Sequence, residues 1–138
     1  MDSTDPEGLA EGLISSDFYQ TCKDALREPG ALVLQSESPL VHQQWIQTIH
    51  NNLSEVFRQK HIYLTPILFY PTGLWSFTFA SDTLDPLEDF QAERSAAISD
   101  GLHYYNPAIH RAAFAQPGFV KRILSGGEGF PTVPQRSS

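Results

Sequence analysis

Several things are scarce in this chain of 138 residues, and each scarcity excludes something. Cys22 is its single cysteine. An internal disulfide is therefore excluded, and a reducing compartment, the cytoplasm, is the expected setting. No stretch approaches the roughly 18 to 20 consecutive apolar residues that a membrane-spanning helix needs. The opening Met1-Asp2-Ser3-Thr4-Asp5-Pro6 lacks the basic region and apolar segment of a signal peptide. Positive charge is also in short supply, with 9 Lys+Arg against 16 Asp+Glu and a formal net charge of −7. That balance argues against a nucleic-acid partner and permits a cationic small molecule. The five histidines, at 42, 50, 61, 103 and 110, include no short-spaced pair and no cysteine partner, so no metal site is expected. There is no G-x-S-x-G elbow for a serine nucleophile. No helix follows Gly-Gly-Glu-Gly at 126–129, so it does not read as a phosphate loop.

What is present is a globular composition, 41% apolar and 12% aromatic. At this length a chain buries roughly 70% of its unfolded surface, enough for one core. Residues 1–14 carry Pro6, Gly8 and Gly12 and read as loop. A helix follows, capped by Ser15 or Ser16, with Asp17 at the positive end of its dipole and Phe18, Cys22, Ala25 and Leu26 on one face. Pro29-Gly30 stops it. The continuously apolar run 31–34 predicts a strand buried on both faces of a parallel sheet. Ser38 as cap and Pro39 as first residue predict a second helix, with Val41, Trp45, Ile49, Leu53, Val56 and Phe57 turned inward. Residues 62–69 form a third apolar segment, kept from a central ladder position by Pro66. Tyr70-Pro71-Thr72-Gly73 reads as a turn, and 74–80 as the returning antiparallel strand, with Trp75, Phe77 and Phe79 opposite Ser76 and Thr78. Helices are expected at 87–99, after Tyr104-Tyr105-Asn106-Pro107, and from Pro117; the Gly/Pro/Ser-rich 125–138 reads as a disordered tail. This order is that of the second half of a doubly wound α/β sheet ending in an antiparallel hairpin.

The sharpest chemical feature is Asp2 and Asp5, paired carboxylates in a Pro/Gly-rich loop. At the carboxyl end of a strand, where open α/β sheets bind ligands, such a pair holds a cationic amine, and one member serves as general base. The same residues also read as a solvated turn at Asp5-Pro6. Gln35, Ser36 and Glu37 occupy the equivalent place after 31–34, either lining a site or serving as turn and cap. Tyr70 either presents its hydroxyl to a ligand or is simply half-buried. His110, on an Ala/Phe-rich helix, reads as a hydrogen-bonded core histidine, and Trp45 as core. Cys22 has a packing explanation.

Five blocks, in order, carry a resemblance: D-S-T-D-P-E-G-L-A (2–10), F-Y-Q-T-C-K-D-A-L (18–26), P-G-A-L-V-L-Q-S-E-S-P (29–39), Y-P-T-G-L-W-S-F (70–77) and H-Y-Y-N-P-A-I-H-R-A-A-F-A-Q-P (103–117). The chain resembles the polyamine aminopropyltransferases, typified by spermidine synthase, whose loop has the form D-S-[ST]-D-P-x-G-P-A. The resemblance implies the second half of a methyltransferase-like Rossmann sheet, with residues 1–124 the carboxyl-terminal part of a catalytic domain. It implies Asp2 as general base toward a putrescine-like amine. Asp5, Gln35 and Tyr70 then line the amine channel, and decarboxylated S-adenosylmethionine is co-substrate, with no prosthetic group. Leu9 stands where the family places a proline that borders the co-substrate's nucleoside. The family's amino-terminal β domain and Gly-rich co-substrate loop have no counterpart in the chain. The expectation is therefore a truncated enzyme, inactive alone, whose partners are a polyamine and either a complementary amino-terminal segment or further copies of itself. The alternative is a non-catalytic remnant that binds a polyamine or pairs with an intact homologue.

Overall fold

The computed structural model describes residues 9–130, with side chains from residue 11 onward. In chain order the elements are α1 (Leu9–Gly12), α2 (Ser16–Ala25), β1 (Ala31–Glu37), α3 (Gln43–Val56), β2 (Gln59–Pro66), β3 (Leu74–Ser81), α4 (Ala92–Ser99), α5 (Pro107–Ala113) and α6 (Gly118–Leu124).

The three strands form one sheet in the order β1-β3-β2, and both ladders are antiparallel. The expected parallel pairing of 31–34 is thus corrected. Strand β3 returns between β1 and β2, so these two point the same way without touching. Burial on both faces is corrected as well: Leu34 is buried, but Val33 is 40% exposed. The reason is that the two sheet faces are covered unequally. Along β3, Ser76, Thr78 and Ala80 are completely buried, while Trp75, Phe77 and Phe79 are half-buried. Helix α3 covers the face of Ser76, Thr78 and Ala80, and its Ile46, Ile49, His50 and Leu53 are buried. On the other face the aromatic rings stand against one another. Tyr63 stacks on Phe77 at 5.4 Å, and Phe114 of the α5 cap closes over Tyr63 at 5.2 Å.

Two apolar clusters hold the layers together. Ile14, Tyr19, Leu34, Ile49, Leu53, Phe57 and Ala80 join α2, α3 and the sheet, and Ile46, Ile62, Val120 and Ile123 join α3, β2 and α6. Tyr19, and not Ala25, is the buried residue of α2, so its inward face is rotated from the expected one; Ser15 caps it through the Phe18 amide at 3.2 Å. Helix α3 begins at Gln43 rather than Pro39. The Ser38 carbonyl accepts from the amides of Val41 and His42, and its hydroxyl accepts from Leu40, winding 38–42 into a turn. Val41 consequently lies 61% exposed and not inward. Helix α4 starts at Ala92, later than residue 87, because the Asp85 carboxylate accepts the amides of Leu87 and Glu88 and closes a separate turn. Asn106 caps α5 through the Ile109 amide, with Pro107 as first residue. Past α6, Phe130 stacks on Phe119 at 4.6 Å, and the Gly129 carbonyl accepts from the Arg122 guanidinium.

Leu53 sits fully buried at the junction of α3 and the sheet, whereas Leu68 in the β2–β3 turn is 93% exposed. Leu53→Ala is expected to cost about 2–5 kcal/mol of unfolding free energy. Leu68→Ala is expected to cost less than about 0.5 kcal/mol. Urea unfolding of both variants checks the contrast.

Candidate active site

The carboxyl ends of β1 and β2 and the beginning of β3 lie at one end of the sheet. Gln35, Phe77 and Tyr63 form one cross-strand row, and Glu37, Ser76 and Leu64 form the next. Beyond them the hairpin runs on through Trp75–Thr65 and Leu74–Pro66 to the turn that carries Tyr70. From the Gln35 row to that turn is three strand residues, about 10 Å.

Strand β1 is irregular here. Its register shifts between Gln35 and Glu37, so that Ser36 and Glu37 together face Ser76, and Glu37 takes a left-handed backbone with φ of 71°. A bulge of this kind bends the strand and re-aims its side chains, and non-glycine residues rarely hold such a φ without support. The support is polar and buried. The Ser76 hydroxyl donates to the Glu37 carbonyl at 2.7 Å, and the Ser36 and Thr78 hydroxyls are 2.6 Å apart. Thr78 Oγ1 in turn lies 3.4 Å from Nε2 of the buried His50. Glu37, 7% exposed, has its Oε2 at 3.8 Å from His42 Nδ1.

In the hairpin turn the Gly73 amide donates to the Tyr70 carbonyl, and Gly73 holds a φ of 68°, which suits a residue without Cβ. The Tyr70 ring is fixed between Trp75 at 4.5 Å and Phe69 at 5.1 Å. Gln35 and Tyr70 are therefore both set on the same end of the sheet. Leu9 opens α1, where only its backbone is described, and Asp2 and Asp5 lie outside the described residues.

Other polar groups serve the scaffold. His110 Nε2 donates to the Pro86 carbonyl at 2.7 Å, leaving Nδ1 to accept from Tyr105 at 3.1 Å. Its ring lies against Phe90 and Phe114. The hydrogen bonding expected of it is present, but His110 is half-buried at the cavity wall and not in the core. Lys23 pairs with Asp82 at 2.6 Å, at the opposite end of the sheet from Tyr70. That hydrogen bond, with a second from the Arg58 amide, holds the Asp82 carboxyl below its usual range. Among the described residues, no group of three His, Cys, Asp or Glu side chains converges to hold a metal ion, and no helix is long and apolar enough to cross a membrane. An open cavity of about 880 Å³ lies on the aromatic face, between Val33, Tyr63, Phe79, Phe90, His110 and Phe114; neither Gln35 nor Tyr70 lines it.

Residues 1–92 match the model of the spermine/spermidine synthase domain. The chain belongs to the spermine/spermidine synthase family. It is 41% identical over 125 residues to a polyamine aminopropyltransferase of Thermotoga maritima, covering 90% of this chain and 42% of that protein. It is 43% identical over 128 residues to one from Moorella thermoacetica, covering 93% and 44%. Among solved structures it resembles spermidine synthase from Thermotoga maritima, with a TM-score of 0.81 at 40% identity, covering 90% of this chain and 42% of the other. It also resembles spermidine synthase in complex with the transition-state analogue AdoDATO, with a TM-score of 0.83 at 40% identity, covering 89% and 42%. The chain thus spans well under half the length of the family members it matches. In the sequence, Ser36 and Glu37 read as polar groups after a strand, either lining a site or serving as turn and cap; nothing there marks the bulge. His50, Ser76 and Thr78 carry no site signal there, because inward-facing polar residues at helix or strand spacing look like any others until their partners are known.

Burial pushes the His50 imidazole from 6.5 down to about 4, and the nearby Lys60 charge adds to the effect. Between these values the unfolded chain binds the extra proton, so this contribution to stability is complete above pH 6.5 and is lost as pH falls toward 4. From pH 7 to pH 5 the loss is about 2 kcal/mol. Urea unfolding at the two pH values checks it, with His50→Gln expected to remove that part of the difference.

Proposed function

We propose that this chain provides the amine-acceptor side of an aminopropyltransferase of the spermidine synthase type. The observation that carries the reading is the 0.83 TM-score match, at 40% identity, to a spermidine synthase seen with a transition-state analogue. On this reading the described part is the second half of a methyltransferase-like sheet, and residues 1–124 are the carboxyl-terminal part of the catalytic domain. The standing of Gln35 and Tyr70 at one sheet end supports it.

The chemistry transfers an aminopropyl group from decarboxylated S-adenosylmethionine to putrescine or a similar amine. An alkylammonium has no free electron pair, so it must lose a proton before it can attack. Asp2 takes that proton. The nitrogen pair then forms a bond to the propyl carbon beside the sulfonium, the carbon–sulfur bond breaks, and its electrons leave sulfur as a neutral thioether. Asp5 holds the far ammonium by charge, while Gln35 and the Tyr70 hydroxyl orient the chain between. Because the sulfonium is already a good leaving group, alignment of two cations is most of the catalytic task. The acidic balance of the chain, −7 overall, suits both substrates. Leu9 borders the nucleoside of the sulfonium substrate.

A second reading is a chain that binds a polyamine, or pairs with an intact homologue, without itself catalysing the transfer. Where it binds a polyamine, the two readings share an amine site and differ in turnover. The expected outcome is that the 138-residue chain alone binds putrescine but forms no spermidine from putrescine and decarboxylated S-adenosylmethionine. Asp5→Asn and Tyr70→Phe are each expected to weaken putrescine binding about tenfold, the worth of one charge-assisted or well-placed hydrogen bond. Calorimetric titration and product analysis by mass spectrometry decide. Absence of putrescine binding removes the first reading and the polyamine-binding form of the second, and spermidine formation by the chain alone removes the second.

A further inference from the structure

A β-bulge at a strand end leaves backbone groups off the ladder, and a left-handed glutamate is costly to hold. Both features meet at residues 36 and 37, next to Gln35. Two hydroxyls from the neighbouring strand reach that bulge, Ser76 to the Glu37 carbonyl at 2.7 Å and Thr78 to the Ser36 hydroxyl at 2.6 Å. All three serines and threonines concerned are fully buried. We propose that Ser76 and Thr78 are positioning residues, a pair of hydroxyls that clamp the bulge of β1 and thereby set the aim of Gln35 at the amine site. This rests on the polyamine reading of that sheet end.

The hydrogen-bond directions explain why two hydroxyls, and not one, are needed. Ser76 donates to a carbonyl, which fixes the backbone of residue 37 but leaves Ser36 free to rotate. Thr78 fixes Ser36, and a hydroxyl chain in a dry interior needs an acceptor at its end. The His50 ring stands at that end: the Ser36 and Thr78 hydroxyls are 2.6 Å apart, and Thr78 Oγ1 lies 3.4 Å from His50 Nε2. Helix α3 is in this way connected through β3 to the segment that carries Gln35. Ser76 and Thr78 are fully buried, so on this reading each acts only through the geometry of β1.

The test is carried out on the isotope-labelled 138-residue chain, by following the Glu37 backbone amide and the Gln35 side-chain amide by NMR and titrating putrescine. Thr78→Val and Ser76→Ala are each expected to displace both resonances and to weaken putrescine binding about tenfold, the worth of one positioning hydrogen bond. Thr78→Ser, which keeps the hydroxyl, is expected to restore both readouts. Thr48→Ala, which removes an exposed hydroxyl from the same helix α3, is expected to change neither. Folded Thr78→Val and Ser76→Ala chains with unmoved Gln35 and Glu37 resonances overturn the proposal, whatever their loss of stability. Should Thr78→Val fail to fold, Ser76→Ala decides by the same criteria. The resonance measurement needs no ligand. Displaced resonances in a chain that never binds putrescine therefore uphold the clamp and remove the polyamine reading instead.

Discussion

The cover that α3 gives to the sheet face carrying Ser76, Thr78 and Ala80 is the constraint on which the rest of the structure depends. Those three residues are buried, as are Ile46, Ile49, His50 and Leu53 of the helix. Removing hydroxyls from water is unfavourable unless they find partners, so this packing carries its own demand. The demand is met at β1, where the Glu37 carbonyl and Ser36 hydroxyl are the partners of the β3 hydroxyls. The cover by α3 and the irregularity of β1 are thus two aspects of one arrangement. The bulge also sets the path of the next segment. With Glu37 left-handed, the chain leaves the sheet into the turn at 38–42, and the helix cannot start where Ser38 and Pro39 would begin it.

The opposite face obeys a different logic. There the short α5 touches the sheet through Phe114, over His61 and Tyr63. Coverage is therefore partial, the aromatic side chains of β3 stay half-buried, and an open cavity remains beside Val33. The polar groups near this face are satisfied among themselves, His110 between Pro86 and Tyr105, and Asp85 among the amides of Leu87 and Glu88. They brace α4 and α5 against the sheet. The aromatic layer thereby acts as a stiff backing for the hairpin whose tip carries Tyr70.

How far the sequence can be read depends on whether a residue's role is local. Turn and cap signals are local, and the structure bears them out: Gly73 at a positive φ, Asn106 before Pro107, Ser15 on the Phe18 amide. The antiparallel hairpin is dictated by loop length alone. Strand partnership is not local, and the apolar run 31–34 carries no mark of which strand will lie beside it. Its composition suits burial in a parallel sheet, yet β3 pairs with it from the antiparallel side. Helix starts are misread where a side chain has two possible uses. Ser38 caps a turn instead of a helix, and Asp85 closes a turn of its own before α4. Of the site, Gln35 and Tyr70 are legible as types in suggestive places. The Ser76 and Thr78 hydroxyls bonded at the β1 bulge are not, because serine and threonine in a strand give no sign of their partner.

The two described candidate residues, Gln35 and Tyr70, are both held by ordered backbone. Gln35 stands on a strand pinned to β3 by the ladder and by buried hydroxyls, and Tyr70 on a turn closed by three backbone hydrogen bonds and wedged by Trp75 and Phe69. A flexible diamine loses several rotatable bonds when it is held straight, and that entropic cost is smaller in net effect when the protein groups that hold it are already ordered. Groups on strands and braced turns meet that condition better than groups on loops. On the polyamine reading, the neutral orienting residues are thus carried by the sheet. The two charges of that reading, Asp2 and Asp5, lie outside the described residues and act over longer distances than hydrogen bonds do.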